Sequence, residues 1–316
     1  MITTLLLVAF VAGIFVGLLR SNRIQKPGYE PVNILEGVSR IITRIRQAST
    51  TTELEKSRTI VPAEDIRRQG YHGLFTREEV VSHFEPSSWQ RLAFEDFKAK
   101  VLARGSNLKT FPCIYATMGF RSGEHRYVFL QSDDPSEPQN IRLVGPALQE
   151  YLAIARSLGS NTSLAIFAAP STRPISIEEH NSKFWGVLRG LRIVDPSPWP
   201  AAIPSKTESS EWTFCYANEP IFPVMLTPSH GKRYSRQMSV PVIAIQPKWV
   251  LDQLLNTKEN RDAATGKVRK LLAEYDSIDV SPDLTGYGVP GTSESRQLCL
   301  ADENQTVLCP YQDFDR

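Results

Sequence analysis

His230, Arg233 and Arg236 lie close together in the run WTFCYANEPIFPVMLTPSHGKRYSR, residues 212–236, where two apolar segments lead into a polar loop. Neutral imidazole binds iron, and guanidinium forks pair with carboxylates. That set suits a haem pocket, with His230 on the metal and Arg233 and Arg236 on the propionates. A surface loop with a solvated basic cluster would carry the same residues. Glu219, between Asn218 and Pro220 in otherwise apolar surroundings, is a candidate for holding an amine or guanidinium; the alternative is a capped turn. Cys113 is the rival iron ligand, because a thiolate pushes electron density toward O–O cleavage. Its alternative is a core position at the start of a strand. Cys215, in an apolar strand, and Trp185, Trp199, Trp212 and Trp249 are expected in the core.

Other chemistries lack their signatures. The chain has no GxSxG, HExxH, Walker loop or GxGxxG opening a helix. Its histidines, His72, His83, His125, His180 and His230, are too scattered to read as a metal triad. Net charge is +2, with 36 basic and 34 acidic residues mixed throughout, so no basic stripe marks a nucleic-acid binder. The four cysteines, Cys113, Cys215, Cys299 and Cys309, form no CxxC pair and are expected as free thiols.

These residues need a frame. Ser87 or Ser88 can cap a helix through Trp89, Leu92, Phe94, Phe97 and Val101. Strands are expected at Cys113–Thr117, Arg126–Leu130, Ser163–Ala168, Trp212–Tyr216, Ile221–Leu226 and Val240–Ile245. Helices are expected at Gly145–Leu158, Ile177–Leu191, from Pro247 through Trp249 and Leu251, and at Lys267–Tyr275. The irregular alternation points to an α+β domain, a mixed β-sheet flanked by helices, over residues 86–316.

A polar linker, residues 21–85, precedes that domain and contains a basic amphipathic stretch, Gly37–Arg46, suited to an anionic lipid surface or to a solvated helix. Before it, Ile2–Leu19 carries no charge, and eighteen helical residues span roughly 27 Å, the thickness of a thin hydrocarbon core. Arg20, Arg23 and Lys26 follow at once. The expectation is one N-terminal transmembrane helix over residues 1–20, a single-pass anchor leaving the domain on the cytosolic side. A cleaved leader is the alternative, which glycosylation at Asn161 or Asn304 would favour.

A series of short motifs runs along the domain: Phe111-Pro112-Cys113, Phe184-Trp185-Gly186-Val187-Leu188, Asp195-Pro196-Ser197-Pro198-Trp199-Pro200, Trp212-Thr213-Phe214-Cys215, Asn218-Glu219-Pro220-Ile221-Phe222, Thr227-Pro228-Ser229-His230, Arg233-Tyr234-Ser235-Arg236, Gln246-Pro247-Lys248-Trp249-Val250, Gly286-Tyr287-Gly288 and Cys309-Pro310-Tyr311. In order and spacing these resemble the YqcI/YcgG family from about Phe111 to Tyr311. The resemblance implies a haem-dependent monooxygenase that hydroxylates a nitrogen of a small amine or guanidine in a biosynthetic pathway. O2 would be the co-substrate. Because the chain shows no flavin or nicotinamide motif, a separate reductase would supply electrons. Lys248, and Glu294-Ser295-Arg296, depart from the family pattern and bear on substrate identity. A haem carrier or sensor without turnover, and a cofactor-free membrane-tethered interaction protein, are the competing readings.

Overall fold

The computed structural model describes residues 73–103, 109–254 and 257–315. Its helices are α1 Arg77–His83, α2 Trp89–Val101, α3 Ile114–Arg121, α4 Pro138–Leu158, α5 Ile177–Val194, α6 Lys248–Leu254, α7 Lys258–Tyr275 and α8 Ser295–Leu298. The strands β1 Arg126–Phe129, β2 Leu164–Phe167, β3 Phe214–Tyr216, β4 Glu219–Leu226 and β5 Val242–Pro247 form one sheet among the described residues, in the order β1-β2-β5-β4-β3. Only β1 and β2 pair in parallel. Parallel neighbours need a long crossover, which α4 supplies. The expected α+β domain with a mixed sheet and flanking helices is therefore present.

Alternation along the strands splits the core in two. Val128, Leu164, Ile166, Met225, Ile243 and Ile245 face α4, α5 and the C-terminal segment. Tyr127, Phe129, Ala165, Phe167, Leu226 and Val242 face α1, α2 and α3. The β3–β4 connection is a two-residue turn in which Ala217 and Asn218 both have positive φ, 51° and 62°. Such turns match strand twist but strain alanine. The carboxylate of Asp195 steadies this one by accepting the Ala217 N–H at 2.9 Å.

Several expectations change. Among the described residues no helix is long and apolar enough to cross a membrane. The expected anchor over residues 1–20 and the amphipathic stretch 37–46 lie outside the described residues. The single-pass, cytosolic-side placement is accordingly withdrawn from the fold. Cys113–Thr117 is not a strand: Cys113 is the N-cap of α3, which buries Thr117, Gly119 and Phe120. A short apolar run does not distinguish strand from helix, and here Phe120 packs on the rings of Phe94 and Phe97 in α2. Helix α4 starts seven residues earlier than its apolar pattern, with Pro138 in its first turn. Packing also extends before residue 86, where Phe75 pairs with Tyr127 on the outer edge of β1.

Candidate functional site

Strand β4 runs antiparallel to β5, which runs antiparallel to β2, so β1, β2 and β4 share one direction. Their carboxyl ends gather three loops, 130–137, 168–176 and 227–241. Ligands bind at such ends in open sheets with parallel strands. The loop after β4 carries His230, Arg233 and Arg236, and closes on itself: Thr227 N–H donates to the Arg236 carbonyl at 2.9 Å and Met238 N–H to the Thr227 carbonyl at 3.1 Å.

The three sequence-predicted residues come together, and what they grip is the C-terminal segment 297–304. The Arg236 guanidinium donates to the carbonyls of Gln297 at 3.1 Å and Leu298 at 3.3 Å. His230 Nε2 lies 2.9 Å from the Leu300 carbonyl. Arg233 donates to the Ala301 carbonyl at 3.0 Å and to Asn304 Oδ1 at 2.8 Å. Between them, the N–H groups of Gly231, Lys232 and Arg233 all point at the Asp302 carboxylate, at 2.8 to 2.9 Å. Burial pushes Asp302 up, but the three N–H groups outweigh it and hold the carboxyl below its ordinary range. Sequence reasoning missed this partner, because nothing local joins residue 302 to residues 231–233.

The network fixes the tautomer of His230. A carbonyl only accepts, so Nε2 carries the hydrogen. The lone pair on Nδ1 then takes the Thr227 hydroxyl at 2.9 Å, and the Thr227 oxygen accepts the Ser229 N–H at 3.1 Å. Burial lowers the pKa, as do the two arginines, so the ring is neutral. Both nitrogens of His230 are used within the chain, Nε2 on the Leu300 carbonyl and Nδ1 on the Thr227 hydroxyl. Arg233 and Arg236 direct their N–H groups at carbonyls and a side-chain amide.

Cys113 offers what His230 does not. It is a free, half-buried thiol at the N-terminus of α3. Burial pushes the thiol above its ordinary range, and the N–H groups of Ala116 and Tyr115 and the Arg236 guanidinium offset only part of that rise. Among the described residues no full capping hydrogen bond is made to the sulfur. Phe111, two residues earlier, packs on the same cluster as Val224 and Ala244, whose faces on the sheet are only partly covered.

A comparison with known proteins bears on these residues: the YqcI/YcgG family pattern matches residues 97–312. The chain belongs to the YqcI/YcgG family. It is 34% identical over 227 residues to YqcI of Bacillus subtilis, covering 71% of this chain and 87% of that one. It is 34% identical over 231 residues to YcgG of the same organism, covering 72% and 89%. It is 28% identical over 233 residues to DcsA of Streptomyces lavendulae, covering 71% and 84%; that protein is named, provisionally, an N(omega)-hydroxy-L-arginine synthase. No solved structure matches the chain.

Two carboxylates distinguish this YqcI/YcgG domain further. Glu219 faces Arg156 in a two-pronged ion pair, both contacts 3.0 Å, and Arg156 also lies over the Trp249 ring. In this structure the Glu219 charge is matched by the exposed Arg156 guanidinium. Glu294 is buried and accepts a 2.7 Å hydrogen bond from Thr213. Burial pushes its carboxyl up to about 7. The folded state thus holds a proton that the unfolded chain releases near pH 4.5, so stability falls as pH rises from there through 7. That shift corresponds to about 3 kcal/mol. Glu294→Gln is expected to flatten this slope, raising the melting temperature at pH 8 far more than at pH 5. Equal shifts at both pH values would contradict the assignment.

Proposed function

We propose that this chain is a haem-dependent N-hydroxylase acting on a small amine or guanidine, with Cys113 as the iron ligand. The observation that carries the reading is the position of Cys113: a free thiol at the N-terminus of α3, with no side-chain capping bond and with the Arg236 guanidinium near it. The name given to DcsA supports the reaction class. Histidine ligation is set aside because His230 has no free lone pair.

When bound, haem supplies O2 activation, which is the cofactor's own chemistry. The protein's part is to hold and orient. Cys113 would hold the iron through its sulfur, its thiol proton being lost to solvent on binding. Arg236 stays positively charged beside it, its pKa lowered by burial only to about 10. In the overall reaction one oxygen atom enters a substrate N–H bond and the other leaves as water. Two electrons and two protons come from a separate reductase, since the sequence shows no flavin or nicotinamide motif.

The test uses the full chain, produced with haem available and then supplied with a reductase, NADPH, O2 and L-arginine or a related guanidine. A haem absorption band and a product heavier by one oxygen atom, labelled from 18O2, are expected. Protein that takes up no haem under these conditions would overturn the reading. Haem without turnover on any amine or guanidine would leave a carrier or sensor.

A further inference from the structure

Glu219 and Trp249 hold a guanidinium between them, and that guanidinium is the chain's own. Glu219 is the first residue of β4. The tight turn before it keeps Ala217 and Asn218 at φ 51° and 62°, and the buried Asp195 carboxylate pins that turn through the Ala217 N–H at 2.9 Å. The hairpin therefore presents Glu219 from a fixed backbone, with its side chain only 22% exposed. Trp249, in the first turn of α6, packs on the core that faces α4 and α5, and its Nε1 edge is buried. Both groups are anchored in the domain.

The occupant is the loose member. Arg156, in the last turn of α4, has a side chain 60% exposed. Its two terminal nitrogens each donate to one Glu219 oxygen at 3.0 Å, and its Cζ lies 5.2 Å from the centre of the Trp249 ring. A carboxylate taking a planar fork, with an indole face alongside, matches a guanidinium in shape and in charge. An ammonium is a point charge without the fork and fits less well. Exposed ion pairs contribute little, because water screens them and two long side chains must be ordered. The closed arrangement accordingly outweighs the open one by about fivefold at most. Once Arg156 turns outward on its flexible stem, a guanidinium from outside meets the same carboxylate and the same ring.

We propose that Glu219 and Trp249 form a binding site for the guanidinium of another molecule, kept closed by Arg156 in the free chain. A small guanidine and an arginine side chain on another protein share this chemistry. The inference is independent of the proposed function. Arg236, the guanidinium near Cys113, reaches the Met225 carbonyl, six residues along β4 from Glu219, or about 20 Å of extended strand. The two guanidinium groups thus lie toward opposite ends of the strand.

The test titrates the full chain by calorimetry with agmatine, L-arginine and an acetyl-Gly-Arg-Gly-amide peptide, while the Trp249 indole 15N signal is followed by NMR. L-lysine serves as a cation without the fork and L-citrulline as the uncharged control. Guanidinium probes are expected to bind saturably and shift that signal, with both controls at least about tenfold weaker. Arg156→Ala removes the internal competitor and should tighten binding by up to about fivefold. Glu219→Gln should weaken it by about tenfold or more with little change in melting temperature, since the pair it breaks is exposed. Trp249→Leu should weaken it about threefold. Binding of agmatine and L-arginine would support a small guanidine as the ligand, and binding of the peptide alone an arginine on another protein. No saturable binding of any guanidinium probe to the native chain, or binding unchanged by Glu219→Gln, would overturn the site and leave an ordinary surface ion pair.

Discussion

Replacing Cys113 by serine is expected to abolish the thiolate signature in the ferrous–CO spectrum and to reduce turnover below detection, while the domain stays folded. The reasoning separates ligand from scaffold. Cys113 caps α3 without a full side-chain hydrogen bond, and serine is a better cap than cysteine. The variant therefore has no reason to unfold, and its melting temperature should change by no more than a few degrees. What it loses is a soft anionic donor, which an alcohol cannot replace. His230→Gln is the matched control. It breaks the contacts to Thr227 and Leu300, so it should melt lower, yet its spectrum should remain thiolate-type. The reverse pattern, with Cys113→Ser spectrally normal and His230→Gln colourless, would return the iron to the histidine.

Much of the sheet was legible because its strands carry strong local signals. Within the expected strand Ser163–Ala168, Leu164–Ala168 is a continuous apolar run, and the structure has β2 at Leu164–Phe167, every residue buried. Ser88 caps α2 through the Arg91 N–H at 3.3 Å, as its position before an apolar periodic run implies. What misled was the absence of contrast. Ile114–Arg121 is short and apolar on all sides, and only its docking against Phe94 and Phe97 decides that it is a helix. The first two turns of α7, from Lys258, are almost wholly polar, so periodicity found only its last half, while Thr257 caps it through the Asn260 N–H at 3.1 Å.

The site was legible in place but not in role. His230, Arg233 and Arg236 do converge, as their spacing within one loop implies. Their partners are backbone carbonyls some 60 to 70 positions away, at Gln297, Leu298, Leu300 and Ala301. Carbonyls carry no sequence signal, so a buried cluster of donors reads equally as a ligand pocket or as a clamp. His180 was hidden for the opposite reason. It stands on a helix 50 residues before His230. It shows nothing unusual until its buried, unpartnered Nδ1 is seen.

The clamp makes its own prediction, centred on Arg236. Three terms compete when Arg236 is replaced by methionine. Burying the guanidinium lowers its pKa from 12.5 to about 10, so removing the charge relieves about 3 kcal/mol. Against that, contacts to the carbonyls of Gln297 at 3.1 Å, Leu298 at 3.3 Å and Met225 at 3.5 Å are lost. Hydrogen bonds from a charged donor contribute roughly 1.5–3 kcal/mol each, and the buried carbonyls left behind cost about 1–3 kcal/mol apiece. The losses exceed the relief even if the longest contact counts for nothing. A net destabilisation of about 3 kcal/mol is expected, a fall of roughly 10 °C in melting temperature for a domain this size. Because Arg236 pins the two carbonyls just before Cys299, amide exchange should quicken first at residues 297–301. Cys299, buried with its thiol pushed well above the ordinary range, should become open to alkylation under native conditions. Arg236→Lys keeps the charge but not the fork that spans these carbonyls, and should fall between. A methionine variant as stable as the native chain, with Cys299 still protected, would mean that the segment is held by His230, Arg233 and Asp302 without Arg236.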